Sequence, residues 1–398
     1  MVSYELQELS SLLTTHQSLL AKEDGSRMNF QDRLADICTR MRDEKVALLI
    51  GMHDGAHFIE KPNPVMVLSG FKSLGPAAAL LAPDGAMTLV VTPHWDAERA
   101  VQCCPDARVV GVDDVAEGVL GEVEGRAAAG TAIATAGLRF LPYDIASHLT
   151  FALPGVRSAD KLVFDAARAK TADEIANARE ATRIAERGYE HLIAIARPGM
   201  SEDELAVELK WFMKTLGAED NFLLLCAGPH NRAVQPSTGR KLETGDIILA
   251  EITPSYRGQL AQICRTVVLG KPSQELSDKY ELVVRAMDEG IKAAVPGVAM
   301  ATVCRAINTV LEAEGYGEYC YPPHIRRRGH GLGFGSIRPG DVALDNITML
   351  ERDMVFMIHP NQYLPETGYL LCGEPVLLTE HGAEPLTQQK AALAAVAG

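Results

Sequence analysis

The segment Gly245–Gly270, GDIILAEITPSYRGQLAQICRTVVLG, holds the most informative pattern in this sequence. Two apolar runs flank a turn around Pro254 to Gly258, which predicts a β-hairpin. Glu251 ends the first apolar run, and we expect Gln262 to lie across from it on the second strand. A carboxylate in such a position is costly to bury unless something pairs with it or uses it. The segment therefore predicts a functional carboxylate, with a solvent-facing Glu at a strand end as the equal alternative.

The composition excludes several classes of protein. The chain has 398 residues, of which 47% are apolar and 23% are charged, as in ordinary globular proteins of two domains. A formal net charge of −14 argues against a nucleic-acid partner, because neutralising phosphates requires a concentrated basic surface. No apolar run approaches the roughly 20 residues of a membrane span. We therefore expect a small-molecule substrate, with no nucleic acid and no membrane as partner.

The cysteines and the N-terminus bear on location. The eight cysteines are scattered and form no C-x-x-C pair, which is typical of reduced, cytoplasmic proteins. The first residues, MVSYELQELSSLL, are partly acidic and lack the basic region of a secretory signal. The sequence therefore predicts a cytoplasmic protein.

The alternation of elements predicts two domains. Residues 3–43 predict helices, and short apolar strands then alternate with helices as far as Leu162. This pattern is typical of an α/β domain, to which we assign residues 1–165. Long amphipathic helices begin after that point, so residues 166–398 form the second predicted domain.

The second predicted domain contains an internal sequence repeat. The sequence ARPGMSEDEL (Ala196–Leu205) recurs about a hundred residues later as AVPGVAMATV (Ala294–Val303). Each copy reads as helix, Pro-Gly, helix and then strands, which predicts two similar halves. A chance recurrence of Pro-Gly between helices is the alternative.

Several motifs resemble those of the pita-bread enzymes, the family of methionine aminopeptidases, Xaa-Pro aminopeptidases, prolidases and creatinase. The hairpin keeps that family's glycines and its Arg265-Thr266 pair, and GHGLG (Gly329–Gly333) is similar to its G-H-G-x-G motif. VLSGF (Val67–Phe71) resembles a motif of the creatinase N-terminal domain. The resemblance implies an α/β (α+β) fold, with a creatinase-like N-terminal domain before a pita-bread catalytic domain that has an internal pseudo-twofold.

In metal-binding members of that family, two Asp, one His and two Glu hold two ions and activate a water between them. The corresponding positions here carry Glu251, Gln262, His330, His359 and, for the last, Glu374 with Gly373 as the alternative match. Gln262 is neutral and a poor ligand, so we expect no two-metal site and no cofactor. A single zinc, manganese or iron ion, held by the two histidines and the two glutamates, is the alternative.

RTVVLGKP (Arg265–Pro272) resembles the corresponding run of ectoine hydrolase, which, like creatinase, works without metal. That resemblance implies that Glu251 is a nucleophile or general base. It also implies that His330 and His359 move protons and hold the oxyanion, while Glu374 orients a histidine or binds a cationic group.

Candidate substrate-binding residues follow from the same comparison. The histidine that metal-free relatives carry before the hairpin is absent, which leaves His230 as its substitute. Arg338, or one of the arginines at 326–328, is suited to clamp a substrate carboxylate, with a solvated cluster as the alternative. Gln262 and Phe71 complete the predicted set. The resemblance further implies a homodimer in which N-terminal loops of one subunit approach the site of the other.

These observations together predict a metal-independent hydrolase of a non-peptide C–N bond in a small cyclic amide, amidine or ureido compound. The first alternative is a metal-dependent Xaa-Pro aminopeptidase or dipeptidase with altered ligands. The second is a non-catalytic protein that uses the pita-bread fold for binding.

Overall fold

The computed structural model describes residues 27–124, 132–335 and 337–397. The predicted N-terminal helix that contains Leu6 and Leu9 lies outside these residues. The described chain forms a mixed α/β structure of two domains, which confirms the predicted fold class. Within the described ranges, no helix is long and apolar enough to cross a membrane.

The N-terminal part is built around one six-stranded mixed sheet. Its strands are β1 (Leu48–His53), β2 (Ala77–Leu81), β3 (Met87–Val91), β4 (Arg108–Gly111), β5 (Ile133–Ala136) and β6 (Arg157–Ser158). They are ordered β4-β3-β2-β1-β5-β6, with β1–β2 and β2–β3 antiparallel and the other pairs parallel. The helices are α1 (Phe30–Asp43), α2 (Pro64–Ser69), α3 (Ala97–Cys103), α4 (Val115–Glu124), α5 (Tyr143–Ala152) and α6 (Asp160–Ala166). Both faces of the sheet are apolar, because helices cover each of them.

The C-terminal part contains two smaller sheets flanked by long helices. Its helices are α7 (Ala172–Ile195), α8 (Glu202–Thr215), α9 (Gln274–Ala293) and α10 (Met300–Ala313). The first sheet contains β7 (Asn221–Gly228), β8 (Ile247–Tyr256), β9 (Gln259–Leu260), β10 (Ile263–Leu269) and β17 (Ala394–Val396). These strands are ordered β17-β10-β8-β7, and β9 pairs with β8. The second, ordered β11-β12-β15-β16, contains β11 (Gly329–Gly331), β12 (Val355–Ile358), β15 (Glu374–Thr379) and β16 (Gly382–Pro385). A separate pair consists of β13 (Gln362–Leu364) and β14 (Gly368–Leu370).

The two Pro-Gly segments occupy equivalent places in the two halves. Gly199 and Gly297 both adopt a left-handed backbone, with φ of 84° and 87°, a conformation that favours glycine. The Gly199 amide donates to the carbonyl of Leu242, and the Gly297 amide donates to that of Leu350, both at 2.8 Å. The sequence repeat is therefore also a structural repeat: each Pro-Gly turn binds the segment that leads into a strand of its own half, β8 or β12.

The hairpin forms as predicted, but its register differs by two residues. Glu251 on β8 pairs with Cys264 on β10, so Gln262 is not directly opposite. Side chains alternate along a strand with a period of two, so Gln262 and Cys264 lie on the same face. Gln262 consequently still reaches Glu251 with its side chain.

A buried ion pair joins the N-terminal part to the start of α7. Thr171 caps this helix, and Glu174 completes a capping box with it. Arg33, fully buried on α1, donates to both carboxylate oxygens of Glu174 at 2.6 and 2.5 Å and to the carbonyl of Ala169 at 3.1 Å. The guanidinium therefore holds two parts of the chain that lie about 140 residues apart in sequence.

We expect Arg33→Met to lower the free energy of unfolding by about 3–5 kcal/mol, because it leaves the Glu174 carboxylate buried and unpaired. Arg40→Met is the matched control: the Arg40–Asp36 pair on the same helix is exposed, and its loss costs at most about 1 kcal/mol. Denaturant unfolding measures both variants. A loss at Arg33 no larger than that at Arg40 would contradict the structural role of the pair.

Candidate active site

The two small sheets of the C-terminal part meet at a single backbone bridge. The amide of Cys264 donates to the carbonyl of Gly373, and the amide of Gly373 donates to the carbonyl of Cys264, both at 3.2 Å. Glu251 pairs with Cys264 on one side of this joint. His330 on β11 and His359 at the end of β12 approach from the second sheet. The candidate site therefore lies where the two halves meet.

The amide of Gln262 connects the carboxyl group to one histidine. Its Nε2 donates to Oε1 of Glu251 at 2.8 Å and to Oγ1 of Thr253 at 3.1 Å. Its Oε1 lies 3.0 Å from Nε2 of His330. A chain of three hydrogen-bonded side chains thus runs Glu251–Gln262–His330, so a change of protonation at one end alters the bonding at the other.

Glu251 is poised to exchange a proton near neutral pH. Burial raises the pKa of Glu251 to about 7, and the nearby Glu60 carboxylate acts in the same direction. The positive charge of Arg327 and the hydrogen bond from Gln262 oppose this rise. A carboxyl group with a pKa close to the working pH suits general acid–base catalysis.

The two histidines are neutral at the same pH. Burial lowers the pKa of His330 to about 4, and it lowers the pKa of His359 well below its usual value. The two rings are 5.4 Å apart, measured between their centroids. The Nδ1 atom of His359 is buried and has no hydrogen-bond partner within the part of the chain that the structure describes. A buried imidazole nitrogen without a hydrogen-bond partner is available to bind a ligand.

The tautomer of His330 follows from the orientation of the Gln262 amide. Nε2 of His330 faces this amide and its Nδ1 lies 3.0 Å from the carbonyl of Gly331, yet a neutral ring has only one N–H. Gln262 donates to Glu251 through Nε2, so its Oε1 faces His330 and accepts the proton that the ring carries on Nε2.

Glu374, predicted to act with this group, does not join it. It pairs with Ile358 across β12 and β15, whereas His359 is the next residue and points to the opposite face. Oε1 of Glu374 accepts from Nη2 of Arg265 at 3.0 Å and from the amide of Ala391 at 3.1 Å. The structure therefore places Glu374 behind the sheet, where it fixes Arg265.

The predicted substrate-binding residues are also dispersed, with the exception of Gln262. Phe71 is fully buried in the N-terminal core, with the Arg99 guanidinium 4.5 Å above its ring. Arg338 pairs with Asp165 at 3.0 Å across the two parts of the chain. The ring of His230 is exposed and its Nε2 lies 3.0 Å from the carbonyl of Pro365. The structure places the apolar side chain of Phe71 in a core, away from Glu251 and the histidines.

Two further residues act on the group: Tyr369, which the sequence did not suggest, and Arg327, one of the three arginines that it offered. Burial and the charge of Glu251 raise the pKa of Tyr369, which places its phenol near that carboxyl. Arg327 is the cation whose charge acts on Glu251, His330 and His359 alike. The sequence of three arginines at 326–328 did not indicate which of them faces the site. Arg328 is fully buried in structural hydrogen bonds, with Asn308 and the carbonyl of Pro360 among its partners.

The described side chains do not fit a two-metal centre. Gln262 offers a neutral amide that is already bonded to its neighbours, and the last ligand position matches Gly373, because Glu374 points away. A Cβ atom at Gly373 would approach the Cβ of His359 to 2.6 Å, so a side chain has no room there. Among residues 27–124, 132–335 and 337–397, no three His, Cys, Asp or Glu side chains are grouped to hold a metal ion.

The fold and this site define a two-domain hydrolase of the pita-bread type. The model of metallopeptidase family M24 matches residues 176–380, just over half of the chain. The chain therefore belongs to the metallopeptidase family M24.

Related proteins extend this match. An Xaa-Pro dipeptidase of Pyrococcus furiosus is 26% identical over 336 residues, 83% of this chain and 92% of that protein. The uncharacterized peptidase YqhT of Bacillus subtilis is 28% identical over 221 residues, 55% of this chain and 62% of that protein. The prolidase structure from Pyrococcus horikoshii has a TM-score of 0.78 at 22% identity, and the match covers 90% of this chain and 99% of that one.

Two predictions are corrected by these relatives. The prediction of a non-peptide C–N hydrolase is wrong, because the relatives are peptidases and Xaa-Pro dipeptidases. The prediction of no cofactor is also wrong, because a family of metallopeptidases points to metal. The run that suggested ectoine hydrolase is structural: Arg265 binds Glu374, and the Thr266 hydroxyl donates to the carbonyl of Leu371 at 2.9 Å. It therefore carried no information about the substrate.

We expect Glu251→Gln to stabilise the protein more at pH 8 than at pH 4. A carboxyl whose pKa rises from 4.5 to about 7 on folding is protonated without cost at pH 4. Between pH 4.5 and pH 7 the raised pKa of Glu251 lowers the free energy of unfolding by a growing amount. Above pH 7 this loss stays constant at about 3 kcal/mol. Urea unfolding at both pH values measures it, with the exposed Glu281→Gln as control. Equal effects at both pH values would show that Glu251 is not held in a desolvated site.

Proposed function

We propose that this chain is a peptidase that cleaves short peptides in the manner of an Xaa-Pro dipeptidase. The observation that carries the proposal is the match to an Xaa-Pro dipeptidase over most of both chains. The family membership of the C-terminal part is consistent with it, and Glu251 supplies the acid–base group that such a reaction needs.

Hydrolysis of a peptide bond requires a base that takes a proton from water and an acid that gives a proton to the leaving amine. Glu251 is suited to both steps, because its pKa lies at about 7. Gln262 donates a hydrogen bond to Oε1 of Glu251. In this proposal, therefore, Oε2 of Glu251 takes the proton from the water. The proton taken from water is then returned to the amine nitrogen as the C–N bond breaks.

Other groups of the chain are placed to hold the reacting carbonyl. The Tyr369 phenol stays protonated because its pKa is raised, so it can donate a hydrogen bond to the oxygen that becomes negative. The buried Nδ1 of His359 offers a second contact. Gln262 holds Oε1 of Glu251 through one end of its amide and contacts His330 through the other.

The family points to a divalent metal, but the described side chains form no ligand set for one. No step of the proposed reaction therefore runs through a metal. Homodimer assembly and a cytoplasmic location, both expected from the sequence, stay predictions.

We expect the purified protein to release proline from Ala-Pro, assayed after chelation and after loading with manganese or zinc. Glu251→Gln should lower kcat by at least about 100-fold, the usual contribution of a general acid–base group. Glu281→Gln should leave kcat unchanged. Elemental analysis of the same samples should find fewer than two metal equivalents per chain. The proposal fails if no Xaa-Pro or other short peptide is cleaved in any metal state.

We expect Gln262→Met to move the acidic limb of the kcat/KM pH profile upward. The Gln262 hydrogen bond favours the ionised form of Glu251, so its loss raises the pKa of that carboxyl further above 7. The base form then appears only at higher pH. Thr253→Val is the control, since it removes a partner of Gln262 but leaves the bond to Glu251 in place. An unchanged acidic limb would separate Gln262 from the titration of Glu251.

A further inference from the structure

We propose that the protein has a second ligand site, a groove behind the second sheet, in which Oε2 of Glu374 binds the primary ammonium group of a small apolar amine. The Glu374 side chain lies on the opposite face of that sheet from His359, so the proposal does not depend on the peptidase reaction. A free aliphatic amine and an apolar amino acid both carry the ammonium group that this site requires.

The groove runs between the C-terminal end of α9 and residues 385–390, which begin at the end of β16. Its volume is about 520 Å³, which is enough for a small molecule. Glu374, only 1% exposed, forms part of its lining from the first position of β15. The other lining residues that matter here are Met287, Asp288, Ile291, Lys292, Pro385 and Lys390.

One carboxylate oxygen of Glu374 is unused by the protein. Oε1 accepts from Nη2 of Arg265 at 3.0 Å and from the amide of Ala391 at 3.1 Å. Oε2 is buried, and none of the residues whose positions the structure describes donates to it. A buried acceptor without a donor costs free energy, which a hydrogen-bonding ligand recovers. Oε2 of Glu374 is therefore free to accept from a donor that the chain itself does not supply.

The charges around the groove favour a cationic donor. The two lysines of the lining, Lys292 and Lys390, are already paired with acidic residues. Burial raises the pKa of Glu186, and the charge of Glu374 acts in the same direction, so these two carboxyl groups lie close together. Arg265 is the buried cation that acts on both of them. Because buried charges are stable only when they are paired, a second cation beside Glu374 would balance the group.

The walls of the groove determine the rest of the ligand. Met287 and Ile291 lie four residues apart on α9, and therefore on one face of that helix. Pro385 adds apolar surface from the side of β16. An alkyl chain gains affinity by burying its carbon atoms against such walls, whereas an inorganic cation has no apolar surface to bury. The groove therefore fits an ammonium group on a short aliphatic chain.

Glu374 also connects the groove to the joint between the two sheets. Its partner Arg265 donates through Nη1 to the carbonyl of Cys264 at 3.1 Å and to that of Gly373 at 2.8 Å. These are the same two carbonyls that accept hydrogen bonds in the backbone bridge. Only two side chains, those of Glu374 and Arg265, therefore separate an occupant of the groove from the joint that aligns the active site.

The test is calorimetry of the full chain with isoamylammonium chloride. We expect one site with a Kd of roughly 1 mM or below, because the ligand has few atoms but makes a charged contact. Isoamyl alcohol, which has the same skeleton without the charge, should bind at least about 10-fold more weakly. L-Leucine adds a carboxylate to the same skeleton: tighter binding than isoamylammonium identifies amino acids as the ligand class, and weaker binding identifies simple amines.

Variants of the groove locate the site. Ile291→Lys should weaken binding of isoamylammonium at least about 10-fold, because it places an ammonium group of the chain itself in the groove. Ile291→Met is the matched control, since it keeps this wall apolar, and should change Kd by less than about twofold. Glu374→Gln should act like Ile291→Lys. The Ile291 pair decides the question should the loss of the buried partner of Arg265 prevent folding.

Glu251→Gln separates the groove from the active site and should leave the Kd of isoamylammonium unchanged. If this variant abolishes binding, the amine occupies the active site and the groove is overturned as a ligand site. The proposal also fails if isoamylammonium does not bind, if it binds no more tightly than isoamyl alcohol, or if it binds equally to Ile291→Lys and Ile291→Met. Binding in the groove by a protein that cleaves no peptide would overturn the proposed peptidase function alone.

Discussion

The site of this protein depends on one backbone bridge between two sheets. Cys264 and Gly373 exchange two hydrogen bonds there, and this contact brings Glu251 from one half of the domain to the histidines of the other. Arg265 and Glu374, the next residues on each strand, reinforce the joint from behind with a buried ion pair. Such a pair is costly to break from one side, because the remaining charge stays buried. The geometry of the catalytic group is therefore set by backbone and charge together.

Much of the fold was readable because its signals are local. The hairpin, which turns at Arg257 and Gly258, and the two Pro-Gly turns depend on residues a few positions apart, and their hydrogen bonds follow directly. Glu251, Gln262 and His330 were also found by motif, and the structure places them in one chain of hydrogen bonds. These features could be predicted because each is encoded within a short segment.

The rest of the site could not be predicted from the sequence, because it depends on side-chain directions and on contacts between distant segments. A shift of one residue along a strand reverses the direction of the side chain, so the motif that suggested Glu374 could not show that it faces away from His359. One partner of Arg327, Glu60, lies 267 residues away in sequence, in a loop without a motif. The resemblance to ectoine hydrolase misled the functional prediction, since the matching Arg265 and Thr266 hold the joint and do not contact the site. Sequence motifs here report the fold more faithfully than the substrate.

The close contact between Gly373 and His359 constrains substitution at position 373. A Cβ atom there would approach the Cβ of His359 to 2.6 Å and its Cα to 3.0 Å. Because every residue except glycine carries a Cβ, exchanging His359 for another side chain does not remove this collision. A carboxylate at position 373 therefore requires the backbone of the two segments to move apart, and a single substitution of a side chain cannot restore a ligand there.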